Sequence, residues 1–188
     1  MRGPMECPPS FRRKWWARRK ARLCPPYALG SQIHGSQFAK IDIVTTALNP
    51  PSLAEAVNAR GFSHAAGFRI VTVRPGFAEV ALPRRDDLVQ FFGHFHGGVI
   101  TALADQAAGI AITSGLPAGR IGVTVEIKVN FLGPADGSEL VARAKTLKMS
   151  GSIGVATVEV FSRSGDSETL CAFCTATMRA LDLPAEFR

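Results

Sequence analysis

An α+β architecture, an antiparallel sheet wrapped around one long helix, follows from three features of this 188-residue chain. Residues 97–114 are an apolar run of helical length, alternating strand-like runs lie on both sides of it, and Gly, Pro, Ser and Asp recur at short intervals between those runs. Within the run, Val99, Ile100, Ala102, Leu103, Ala104, Ala107, Ala108, Ile110, Ala111 and Ile112 leave no polar face. Such a helix must be enclosed by protein on nearly all sides. A single sheet encloses it only by curling around it.

The elements follow in order. Residues 1–40 are basic, Pro-rich and aperiodic, with Phe11, Trp15 and Trp16 set among cations, and read as an extension expected to be disordered. The folded domain is expected over 41–188. A short helix is predicted over 52–61, with Ser52 as N-cap, Glu55 completing a capping box and Gly61 closing the end. Strands at 67–74 and 77–82 flank the turn at Pro75-Gly76. After the long helix, Val123, Val125, Ile127, Val129 and Phe131 alternate with Thr124, Glu126, Lys128 and Asn130, which predicts a half-buried strand. Strand-like runs at 139–148, 153–163 and 169–181 follow, divided by Gly-containing turns, and together they predict an antiparallel meander.

The chain has 22 Lys+Arg against 15 Asp+Glu, a net +7 that ordinarily points to an acidic polymer or surface as partner. Nine of the basic residues lie in 1–40 against Glu6 alone, a net +8. Residues 41–188 therefore hold 13 basic and 14 acidic side chains, a net −1. No nucleic-acid or membrane partner is expected for the folded domain. No secretory signal is expected, because Phe11–Arg22 is followed by Cys24-Pro25-Pro26 and not by an apolar core, and the four cysteines form no evident disulfide framework, so a cytoplasmic location is expected. Cys171 and Cys174 have C-x-x-C spacing, but on a regular strand residues three apart face opposite sides, so they are not expected to share a metal. Residues 88–119 contain a single charge, Asp105; a carboxylate at mid-bilayer costs about 2.5–3.5 kcal/mol, so the run reads as a buried helix, not a membrane span.

Two places along the helix, its start and Asp105, are candidates for chemistry. Gly97 and Gly98 stand at its start, where unpaired backbone N–H groups and the positive end of the dipole can polarise a carbonyl; Gly-Gly taken alone is more often a tight strand-to-helix turn. Asp105 is a carboxylate in an otherwise apolar run, either catalytic or a structural Asp bonded to a neighbouring Gln or Thr. From Gly97 to Asp105 a helix rises about 12 Å, too far for both to touch one carbonyl carbon. If both act, the site lies between two subunits.

His96-Gly97-Gly98, followed after four residues by Leu103-Ala104-Asp105, resembles the signature of the PaaI-like acyl-CoA thioesterases of the hotdog-fold superfamily. The resemblance runs over about residues 52–181 and is sharpest from Gln90 to Gly109. It implies the hotdog fold, hydrolysis of an acyl-CoA without metal or other cofactor, and a homodimer, commonly paired into a tetramer. It makes Asp105 the general base or nucleophile and Gly97 the carbonyl-polarising amide. Gln90 would position water or thioester, His96 would orient the site, and Thr124 falls where relatives have Ser or Thr near the reacting water. Thr124 also shares a polar row with Glu126 and Lys128, which would leave it merely solvated. Gly98, His94 and Asn130 complete the expected substrate contacts. His94 and His96 have no third ligand nearby and are not expected to hold a metal. Arg84, Arg85, Lys128, Lys148 and Arg163 are the cations available to the phosphates of coenzyme A. The alternatives are a non-catalytic acyl-CoA sensor, a hotdog hydroxyacyl-thioester dehydratase, disfavoured by the position of Asp105, and a structural hotdog subunit without activity, disfavoured by the presence of Asp105.

Overall fold

The computed structural model describes Ala59 and residues 61–183. The extension over 1–40 and most of the helix expected over 52–61 lie outside the described residues; of that helix only Ala59, which is helical, and Gly61 are described. A six-residue helix, α1 (Gly61–Ala66), follows. It buries only Ala66, too little to leave a periodic signal in the sequence. The remaining elements are β1 (Arg69–Arg74), β2 (Phe77–Pro83), a single 3-10 turn (Asp86–Leu88), α2 (Gly97–Ser114), β3 (Arg120–Phe131), β4 (Glu139–Ser150), β5 (Ile153–Ser164) and β6 (Ser167–Asp182).

The strands form one antiparallel sheet in the order β1-β2-β4-β5-β6-β3. Strands joined by tight turns pair as hairpins, so β4, β5 and β6 form the expected meander. β3 departs from it. The connection at 132–138 is long enough to free β3 from β4; β3 pairs with β6 and becomes an edge strand. The helix-facing side of the sheet is rich in small residues, with Ala78, Ala142, Ala144, Ala156, Ala172 and Ala176 opposite Ala104, Ala107, Ala108 and Ala111 of α2. Small side chains on both surfaces let the backbone layers approach closely, while Leu103 and Ile110 fill the remaining space.

Enclosure of α2 is incomplete. Gly98 is exposed, and Ala102, Asp105, Gln106 and Gly109 are only half-buried along one side of the helix. The expectation of a helix covered on nearly all sides is corrected here: the sheet wraps it from β1 to β3 and stops, leaving a stripe of small and polar residues.

Four β-bulges interrupt the two-residue period, at Val71, Val125, Leu147 and Cys171. The one at Cys171 corrects the reading of the cysteine pair. The extra residue shifts the alternation so that Cys171 and Cys174 are both buried in the core, where burial pushes each thiol up to about 11. Among the described residues no group of three or more His, Cys, Asp or Glu side chains is placed to hold a metal ion. No described helix is long and apolar enough to cross a membrane.

The opposite face of the sheet carries an alternating ion-pair network, Arg69–Glu139–Arg163–Glu168–Arg143–Glu79, that runs across five strands. Hydrogen bonds from Arg143, reinforced by Arg163, hold the Glu168 carboxyl down to about 2 against the opposing effect of burial.

Candidate active site

The start of α2 is built by three interlocking contacts. His96 is the N-cap, extended at φ −65° and ψ 139°, and its Nδ1 accepts a hydrogen bond from the Gly98 N–H at 2.9 Å. A Cβ on Gly98 would lie 3.1 Å from that same nitrogen, and a Cβ on Gly97 would lie 3.2 Å from Cζ of Phe131. The His-Gly-Gly sequence therefore has a steric reason: one glycine makes room for the capping imidazole and the other for an aromatic ring at the end of β3. The cap also corrects an expectation. Gly98 donates to His96, so its amide is not free for a ligand, whereas the Gly97 N–H has no acceptor among the described residues. The helix start thus presents one open donor at its positive end.

Ahead of the cap, residues 89–95 form a small hairpin closed by a bridge between Val89 and Phe95. Its tip is a tight turn in which Gly93 N donates to Gln90 O at 2.8 Å, with Gly93 at φ +87°. Gln90 N donates to His94 O, also at 2.8 Å. The backbone of Gln90 is thereby fixed, while its amide side chain makes no hydrogen bond among the described residues. Phe91 and Phe92 project from the tip at 94% and 59% exposure, and His94 stands edge-on to Phe92 with ring centroids 5.9 Å apart.

Asp105 lies two turns further along α2 on the uncovered stripe, half-buried where the sequence suggested full burial. Thr124 Oγ1 donates to Asp105 Oδ1 at 2.7 Å. The bulge at Val125 makes this contact. Thr124 pairs with Met178 and Gly122 with Ala180, both core residues, so Gly122 and Thr124 face α2; beyond the bulge Ile127 and Val129 take over that face, opposite Ala176 and Cys174. Thr124 is therefore not in a row with Glu126 and Lys128, and the valines at 123 and 125 are exposed instead of core residues. Asn130 falls on the outer side, where it accepts from Lys128 Nζ at 3.0 Å and donates to Phe173 O, so it is not brought together with Asp105.

The expected residues thus form two groups on one chain. Gln90 and His94 lie in the hairpin that leads into the helix start, His96 and Gly97 form that start, and beside Gly97 stands Phe131, whose only signal in the sequence is its place at the end of a strand. Asp105 and Thr124 form the second group, about 12 Å along the helix axis from Gly97. Of the cations considered for phosphate binding, Arg84 and Arg85 donate to main-chain carbonyls and Arg163 belongs to the ion-pair network. Their charge gave the same signal in the sequence as that of a phosphate ligand.

Comparison with known proteins agrees with this architecture. The Thioesterase superfamily profile matches residues 92–169, from the hairpin tip into β6. A thioesterase family protein from Silicibacter pomeroyi is 33% identical, with a TM-score of 0.67 over 71% of this chain and 99% of that protein. A variant of the phenylacetic acid degradation protein PaaI from Thermus thermophilus is 29% identical, with a TM-score of 0.54 over 62% of this chain and 95% of that one. The 1,4-dihydroxy-2-naphthoyl-CoA hydrolase of Listeria monocytogenes is 28% identical over 120 residues, 63% of this chain and 96% of the relative. An esterase-like protein of Halobacterium salinarum is 37% identical over 71 residues, and there the chain spans 46% of the relative's length. The sheet wrapped on α2, the His96-Gly97-Gly98 helix start and these matches lead to one conclusion: the chain belongs to the hotdog-fold Thioesterase superfamily.

Proposed function

We propose that this protein hydrolyses a fatty or aryl acyl-CoA to the free acid and coenzyme A, with Asp105 as general base or nucleophile. The observation that carries the reading is the hydrogen bond from Thr124 to Asp105 on the uncovered stripe of α2. It engages one carboxylate oxygen and leaves the other for the reaction. As a base, Asp105 takes a proton from water as the water oxygen bonds to the thioester carbon. As a nucleophile, it forms the bond itself and yields a mixed anhydride that water then cleaves. In either case negative charge develops on the carbonyl oxygen, where the open Gly97 N–H at the helix start stabilises it. The C–S bond breaks and the thiolate leaves, taking up a proton. The name of the Listeria relative, an aryl-CoA hydrolase, favours including aryl substrates.

Because Gly97 and Asp105 stand about 12 Å apart, one protomer does not supply both to one carbonyl. We therefore place each site between two copies, with Gln90, His96 and Gly97 from one protomer and Asp105 and Thr124 from its partner. The uncovered stripe of α2 and the 12-residue edge strand β3 support this, since an edge strand with exposed Val123 and Val125 is a surface that another chain can cover. The free thiols of Cys171 and Cys174 fit a cytoplasmic setting.

The test is thiol release from a panel of acyl-CoAs varying in chain length and aromaticity. The wild type is expected to turn over at least one class, and Asp105→Asn to lose about 100-fold or more in kcat while melting at the wild-type temperature. Full activity in Asp105→Asn refutes the mechanism. No release from any acyl-CoA favours a non-catalytic acyl-CoA sensor.

A further inference from the structure

We infer that Arg84 is a positioning residue for the proposed reaction, a brace that fixes the hairpin carrying Gln90 and the start of α2. Arg84 follows β2 directly. Its Nη2 donates to the carbonyl of Gly93 in the hairpin tip, and its Nη1 donates at 3.3 Å to the carbonyls of both Asp136 and Gly137 in the loop between β3 and β4. The guanidinium also stands over the Phe95 ring, 5.7 Å from its centroid. A backbone bond joins the same two loops, from Phe95 N to Ala135 O at 2.8 Å, and another ties Arg84 itself to the second, from its N to Ser138 O at 2.9 Å. A planar fork with five N–H groups can satisfy three carbonyls in two loops at once; a methylene chain satisfies none, and an ammonium lacks the fixed geometry.

Its neighbour Arg85 makes bonds of the same kind at a different place. It donates to the Ala65 and Ala66 carbonyls at the end of α1 and to Asp87. Losing Arg85 removes comparable interactions and leaves the hairpin untouched, which makes it a matched control. Arg84 braces Gln90 and the helix start, and a displacement of about 1 Å in such groups costs about 100-fold in rate. Losing Arg84 is therefore expected to act on the chemical step more than on substrate binding.

This inference rests on the hydrolase reading, so the experiment has one arm that depends on activity and one that does not. Full-length wild type, Arg84→Met, Arg84→Lys and Arg85→Met are compared on an acyl-CoA and on the pantetheine thioester of the same acyl group, which lacks the nucleotide phosphates. Arg84→Met is expected to lose about tenfold or more in kcat on both substrates with KM within about threefold, and Arg84→Lys to recover part of that loss. Arg85→Met is expected to keep kcat within about twofold. In amide hydrogen exchange, protection at Gln90 and Gly93 falls in Arg84→Met alone. A KM rise confined to the acyl-CoA, with kcat kept, makes Arg84 a phosphate ligand and overturns the inference. Equal kcat losses in Arg84→Met and Arg85→Met, or unchanged exchange, overturn it as well. A wild type inert toward every acyl-CoA of the panel overturns the hydrolase reading, and the exchange arm then decides the brace by itself.

Discussion

The two ends of α2 use glycine for opposite purposes. At the N-terminal end, Gly97 and Gly98 make room for a ring and a capping imidazole and leave one amide open. At the C-terminal end the sheet closes tightly on the helix: a Cβ on Gly122 would lie 2.8 Å from Cγ2 of Ile112, and one on Gly154 would lie 2.8 Å from Cδ1 of the same side chain. Gly122 N donates to Thr113 Oγ1 at 3.0 Å, and Ser114 Oγ joins the helix end to Gly76 and Arg74 of the first hairpin. One end is anchored to the sheet at several points, and the other leaves the Gly97 N–H without an acceptor among the described residues. Only the anchored end needs full coverage by its own chain.

Substitutions at these glycines should separate the two roles. Gly97→Ala pushes a methyl group toward Phe131 beside the open amide, so kcat in the thiol-release assay should fall about tenfold or more with little change in melting temperature. Gly122→Ala forces a methyl group against Ile112, backed by the anchored helix end. It should cost about 1–3 kcal/mol in denaturant unfolding while the folded protein keeps its kcat. If Gly122→Ala lowers kcat and Gly97→Ala lowers stability, the division of labour between the ends is wrong.

The ion-pair network on the outer face gives the smallest effect and belongs to neither end. The folded-state carboxyl of Glu168 lies near 2, below its ordinary 4.5, so its contribution to stability is fully present above about pH 4.5 and is lost as the pH falls toward 2. Glu168→Gln should therefore lower stability at neutral pH and flatten the acid-unfolding curve between those values, with kcat unchanged. A curve as steep as that of the wild type would show that the Glu168 ion pairs contribute nothing.

Much of this was legible in the sequence, for identifiable reasons. The bounds of α2 at 97–114 follow from a His-Gly-Gly start and a Ser114-Gly115 end, and both signals are local. Strand positions follow from alternation bounded by glycine turns, which is also local. What the sequence concealed depends on pairing between distant strands. A bulge inserts one residue and reverses the sides without disturbing the written alternation, so Val123, Thr124 and Val125 read as inside, outside, inside when Thr124 in fact faces the helix. The place of β3 beside β6 is likewise a property of the closed sheet. Arg84 was legible only as a cation, because charge in a sequence does not distinguish a carbonyl partner from a phosphate.

The claim on which the rest depends is that each site takes its carboxylate from one copy and its open helix start from another. Subunit complementation measures this directly. Asp105→Asn and Gln90→Ala, each inactive alone, are co-expressed or refolded together and assayed for thiol release. Random pairing makes about half of the dimers mixed, each with one intact site, so about one quarter of the wild-type rate should return. Two inactive variants that stay inactive when mixed, despite forming mixed dimers, would contradict a shared site and place the whole of the chemistry within one chain.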